Sequence, residues 1–231
     1  MNHFKWLIVV EGSTDVELYE KLLDEYGVKD FTLFHARGKW NVLDMSTWHK
    51  RISMKYKADL QTFVDRCLGM SGFLGILLVV DSDTDKEKVF KRYVRNQIFP
   101  YESDELTAPK EIEGYYELDR LKGTTTMVPI RGIHVPFGKD GCLESDLIKS
   151  LGFPLDTHEE YGTIKKIARK ISKEWKVPLK NGIHWLDENE IARFDKFIYT
   201  AFSKGIEACT RYEIKLPKEP EVIENIRKAM I

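Results

Sequence analysis

Residues 72–83 read GFLGILLVVDSD: nine residues without a charge, then two aspartates separated by a serine. The apolar stretch is too short to cross a bilayer and shows no polar alternation, so it is read as a strand buried on both faces. Working outward, Trp6 to Val10 is a second continuous apolar run, ending in Glu11-Gly12. It is followed by TDVELYEKLLDEYG (14–27), whose apolar residues Val16, Leu18, Tyr19, Leu22 and Leu23 recur at helical spacing, with Gly27 as the expected C-cap. FTLFHA (31–36) closes a strand–helix–strand unit, and residues 40–69 and the charged stretch after Asp81 have helical character. Buried strands alternating with helices define an α/β fold with a mainly parallel sheet and right-handed crossovers.

Residues 98–123 interrupt that alternation with Pro100, Pro109, Gly114 and Gly123, and read as an insertion carrying a hairpin around EGYYEL. Beyond it, TTTMVPI (124–130) and IHVPF (133–137) read as two further strands, and LESDLIKSL (143–151) as a helix. The remainder, from His158 onward, reads as mostly helical. One domain over 1–231 is expected, with a core over about 5–150 and a helical part over about 151–231.

The balance of 36 Lys and Arg against 37 Asp and Glu predicts no partner from net charge; nucleic-acid affinity has to come from a local patch. Cys67, Cys142 and Cys209 are far apart and include no C-x-x-C pair, which argues against a disulfide framework and a thiolate zinc site and points to a cytoplasmic protein. The N-terminal apolar run is short and followed at once by Glu11, as expected of neither a signal peptide nor a membrane anchor. The sequence lacks G-x-S-x-G and G-x-x-x-x-G-K-[ST], so neither a serine hydrolase nor an ATPase site is expected. The six histidines show no metal spacing, and His35, His134 and His184 are expected to pack or face solvent.

With acidic residues this frequent, a bare D-x-D arises readily by chance; position is what matters. Asp81 and Asp83 stand where the most apolar run stops, and Glu11 where the first one stops. In an open α/β sheet, ligand sites form outside the carboxyl ends of parallel strands, so both sets are expected at one edge. Asp15, four residues after Glu11, falls in the first turn of a helix, where a carboxylate serves as a cap as readily as a ligand. A post-strand turn also favours Asp at 83 for its own sake, whereas a glutamate ending a buried strand has no turn-forming reason to be there. Clustered carboxylates repel one another unless a cation neutralises them, and an all-oxygen set suits Mg²⁺ or Mn²⁺. Such ions, singly or in pairs, suit phosphodiester chemistry.

V-E-G-S-T-D at 10–15 after one strand and V-D-S-D at 80–83 after another resemble the TOPRIM domain of topoisomerases, bacterial primases and a group of nucleases. Within that superfamily the chain is most similar to the OLD-family nucleases and the small stand-alone TOPRIM proteins related to them. The resemblance implies that Glu11 and Asp15 form a first acidic motif and Asp81 and Asp83 a second. It also implies a later metal-binding glutamate, matched by Glu144 in G-C-L-E-S-D-L, with Cys142 where the OLD nucleases often have Ser or Thr. Glu11 is then either a metal ligand or a general acid or base. N-E-I-A-R-F-D-K-F at 189–197 is similar to a helix that carries a catalytic lysine, here Lys196. The apolar face formed by Ile191, Phe194, Phe197, Ile198 and Ala201 leaves Lys196 on the far side, so a solvated and a catalytic lysine both stay open. Gly38-Lys39 is similar to a glycine–lysine element that meets a phosphate, and Asp85 extends the second motif or caps a helix.

In 164–176, Ile164, Ile167, Ala168, Ile171 and Trp175 make one apolar face, with Arg169 and Lys173 among the basic residues around it. A solvated face is the plain reading; in a phosphodiester-cleaving protein the same face is a candidate for the nucleic-acid backbone. The expectation is a Mg²⁺- or Mn²⁺-dependent nuclease acting on DNA or RNA, using one or two ions and water as nucleophile. Because the OLD proteins carry an ATPase domain that this chain lacks, the resemblance also implies a separate ATPase partner. A non-catalytic nucleic-acid-binding subunit and a primase-like nucleotidyl transferase are the alternatives.

Overall fold

The structure is a computed structural model that describes residues 5–44, 47, 73–82, 89–90, 109–122, 127–139, 141–150 and 218–231. Six strands form one mixed sheet: β1 (Lys5–Val10), β2 (Phe31–His35), β3 (Phe73–Asp81), β4 (Lys110–Ile112), β5 (Tyr115–Lys122) and β6 (Met127–Val135), in the order β2-β1-β3-β6-β5-β4. Pairings β1–β2, β1–β3 and β3–β6 are parallel; β6–β5 and β5–β4 are antiparallel. The helices described are α1 (Ser13–Glu25), α2 (Lys39–Leu43), α3 (Leu143–Ser150) and α4 (Glu221–Ala229).

The period of two along each strand divides the core into two layers. Trp6, Ile8 and Val10 of β1 pack with Leu77 and Val79 of β3 and Ile133 and Val135 of β6 on one face, where α1, α3 and α4 supply Leu18, Leu22, Leu147, Ile223 and Ile226. Leu7 and Val9 point the other way, to Ile76, Leu78, Val80, Ile130, Val42 and Leu43 of α2, and Phe90. A strand covered on both faces has no polar side to present, which is why these runs carry no alternation.

Helix α1 follows its sequence closely. Leu18, Tyr19, Leu22 and Leu23 are buried, Gly27 takes φ +74° just beyond the last turn, and the Val28 amide returns to the Leu23 carbonyl. At its start the Asp15 carboxylate accepts from the Gly12 amide at 2.7 Å, satisfying a donor at the helix entry.

Two readings change. The segment 98–123 was expected as an insertion; the hairpin it carries, turning at Glu113-Gly114, instead extends the sheet as its antiparallel edge. The two strands expected at 124–130 and 133–137 are one strand, β6, running through Pro129 and Gly132. Gly132 is needed there because a Cβ would stand 2.6 Å from the Phe90 ring and 2.9 Å from Leu118, so its missing side chain admits both. Of residues 40–69, expected as predominantly helical, 40–43 lie in α2 and Asp44 leaves it with extended backbone; apart from Thr47 the rest lies outside the described residues, as does most of the C-terminal part.

What is described of the C-terminal part is α4, held at both ends. The Asp146 carboxylate accepts from the Val222 amide at 2.8 Å, and the Arg131 guanidinium donates to the Ala229 carbonyl at 2.6 Å while lying between the Trp6 and Tyr115 rings. Among the described residues no helix is long and apolar enough to cross a membrane.

Candidate functional site

The strand order places β2 on one side of β1 and β3 on the other, with α1 packed on one face and α2 on the opposite one. The gap between β1 and β3 is therefore a topological switch point, and ligand crevices form outside the carboxyl ends of strands at such points. Register then fixes which residues stand there. Val9 pairs with Leu78, so Glu11 lies two residues beyond that pair on one strand and Asp81 three beyond on the other.

The two carboxylates are built into the backbone. Glu11 Oε1 accepts from the Asp81 amide at 2.9 Å, and Asp81 Oδ1 accepts from the Leu143 amide at 2.9 Å, at the first residue of α3. Anchoring one oxygen of each carboxylate sets the orientation of the other. Each bond runs from a backbone amide to a carboxylate oxygen. Glu11, Asp15, Tyr19, Asp81 and Leu143 line one shallow cleft. Glu144 is the second residue of α3, adjacent in sequence to the amide that holds Asp81.

The structure thus brings Glu11, Asp15 and Asp81 to one cleft, with the start of α3 against it. Asp83, Arg169, Lys173 and Lys196, and the side chain of Glu144, are outside the described residues. Among the described residues no group of three or more His, Cys, Asp or Glu side chains is arranged to hold a metal ion. Three of the five expected ligands are described, and they present oxygen donors alone, the chemistry a hard divalent ion takes.

Lys39 stands beside this edge. The turn after β2 is stitched to β1 by the Ala36 amide donating to the Val10 carbonyl and the Gly38 amide to the Glu11 carbonyl, and Lys39 Nζ reaches the Ser82 carbonyl at 3.4 Å. A cation is thereby held next to the residue that follows Asp81.

Sequence reasoning missed how the turn after β3 is fixed. Ser82 is fully buried; its amide donates to the Val135 carbonyl, its hydroxyl donates to the Pro136 carbonyl at 3.0 Å, and the hydroxyl oxygen lies 2.7 Å from His134 Nδ1. A hydroxyl has one proton, so with that proton on Pro136 the network assigns the hydrogen of this bond to Nδ1. His134, expected to pack or face solvent, does pack: it is 1 % exposed and stacks on Phe137. Its Nε2 lies 3.4 Å from the Tyr116 hydroxyl, which donates to Glu111 at 3.1 Å. Burial, and then the Glu111 carboxylate, push the Tyr116 hydroxyl up to about 12. No local sequence signal marks it: His134 pairs with Val80 across β3–β6, one residue before Asp81, a neighbour that the fold alone supplies.

No protein-family model matches the chain, and no curated protein matches it. Two solved structures of the C-terminal region of the Xanthomonas campestris pv. campestris OLD protein are similar at 13 % identity. One has a TM-score of 0.35 and aligns over 100 % of this chain and 97 % of that one; the other has 0.34, over 98 % and 94 %.

Proposed function

We propose that this protein is a TOPRIM-like, Mg²⁺- or Mn²⁺-dependent nuclease that hydrolyses phosphodiester bonds in nucleic acid. The observation that carries the reading is the chain of anchors from Glu11 to the Asp81 amide and from Asp81 to the Leu143 amide, which gathers carboxylates from two strand ends at the switch point of the sheet. Glu11, Asp15 and Asp81 would hold one or two ions together with Asp83 and Glu144. A bound divalent ion there polarises the phosphate and lowers the pKa of water. The chain's own groups do the rest: Glu11, if not a ligand, accepts the proton of the attacking water, and Lys39 meets the phosphate charge. Lys196 is proposed as a further cation at the reacting phosphate, and Arg169 and Lys173 as contacts to the nucleic-acid backbone; a separate ATPase is proposed as a partner.

Incubating the protein with Mg²⁺ or Mn²⁺ and labelled single-stranded DNA, duplex DNA and RNA tests this reading. Cleavage that is lost in Glu11→Ala and Asp81→Ala, both still folded, supports it. Binding without cleavage would instead indicate a nucleic-acid-binding subunit, and nucleotide incorporation a primase-like transferase. Undiminished cleavage by both variants would refute the site.

A further inference from the structure

Among the described residues the large exposed apolar side chains are Trp40, Leu74 and Ile231. Ile231 ends the sequence, and Leu74 lies near the start of β3, at the opposite end of that strand from Asp81. Trp40 is the aromatic one, 57 % exposed where Trp6 is 3 %. It stands in the first turn of α2, one residue after Lys39 and two after the glycine whose amide holds the Glu11 carbonyl.

Its exposure is not that of a loose loop. Asn41 and Val42 amides return to the Gly38 carbonyl, the Asn41 side chain donates to the Arg37 carbonyl at 2.8 Å, and Val42 and Leu43 are buried in the core. Arg37 is held at φ +66° and Gly38 at +116°, a left-handed pair that reverses the chain here; for arginine that conformation is unfavourable and persists only where the surroundings impose it. A largely exposed indole on a fixed stretch of main chain, beside an exposed arginine and a lysine, offers a surface for a flat, uncharged ring attached to an anion.

We propose that Trp40 stacks on an unpaired nucleobase and that Arg37 and Lys39 take the adjoining phosphate, so that single-stranded nucleic acid is led to the Glu11–Asp81 edge. This rests on the nuclease reading for its direction of travel, but not for the binding itself. Duplex bases are already stacked on their neighbours and offer no face to the indole, so the contact selects single strands. The flanking cations favour nucleic acid over an apolar protein surface as the occupant.

The test is fluorescence anisotropy at fixed salt in EDTA, where binding is read without cleavage, using a labelled oligothymidylate, an oligouridylate and a duplex of equal length. Trp40→Ala and Trp40→Leu are expected to weaken single-strand binding about tenfold or more, Trp40→Phe to restore it to within about threefold, and duplex binding to stay unchanged. The two single-strand probes separate DNA from RNA as the source of the base. Unchanged single-strand affinity in Trp40→Ala, full retention in Trp40→Leu, equal losses on single strand and duplex, or no single-strand binding by the wild type would each overturn the proposal. Trp40-dependent binding by a protein that cleaves nothing with Mn²⁺ leaves this proposal standing and removes the nuclease reading. Cleavage with Trp40-independent binding does the reverse.

Discussion

At the scale of single residues, each of the anchored groups makes a separable prediction. Ser82→Ala removes the acceptor for His134 Nδ1 inside a buried site, so the orphaned donor is expected to cost about 1–3 kcal/mol, read by urea denaturation. Tyr116 is raised from 10.0 to about 12, so its neutral form is favoured by the fold. That contribution is fully present below pH 10 and is lost as the pH rises from 10 toward 12. An ultraviolet titration of wild type against Tyr116→Phe checks it: the tyrosinate signal that differs between them is expected near 12, and a difference centred at 10 would contradict the Glu111–Tyr116 contact. Neither effect was legible in the sequence. His134 carries no motif, and its meaning depends on which residue of β3 it pairs with, a long-range fact no local pattern contains. Asp15 is the converse case: its helix-entry role was one of its two expected readings, and the bond to the Gly12 amide is present.

At the scale of elements, close packing explains where the sequence misleads. Pro129 and Arg131-Gly132 look like a break between two strands, yet β6 runs straight through because Phe90 and Leu118 occupy the space beside Gly132. Gly75 on β3 meets the Trp6 ring in the same way. Alanine at either position is expected to destabilise by about 1–3 kcal/mol through overpacking, measured by thermal or urea unfolding. Helix α4 depends on Arg131, whose planar guanidinium lies over two rings and bonds to the helix end; Arg131→Lys keeps the charge but not that geometry. In Arg131→Lys, hydrogen exchange of the α4 amides is expected to accelerate relative to that of β1 and β3. Equal protection in both forms would show that Arg131 does not hold the helix. Elements with strong local signals, the apolar runs of β1 and β3 and the amphipathic α1, were legible from the sequence; the joining of the hairpin to the sheet was not, because edge pairing is decided by tertiary contacts.

At the scale of the whole molecule, strand order turns two distant motifs into one place. Glu11 and Asp81 are 70 residues apart in the chain and one hydrogen bond apart in the fold. The sequence indicated that both end buried strands; that those strands are direct neighbours at the switch point follows from the order β2-β1-β3. The proposed nuclease chemistry requires this edge to hold a divalent ion. Calorimetric titration of Mn²⁺ into the wild type and into Asp81→Asn tests it most directly, since asparagine keeps an oxygen for the Leu143 amide and removes only the charge. Saturable binding by the wild type is expected, with a loss of affinity of about a hundredfold or more in Asp81→Asn and the melting temperature little changed. Absence of binding by the wild type, or equal binding by both proteins, would contradict it.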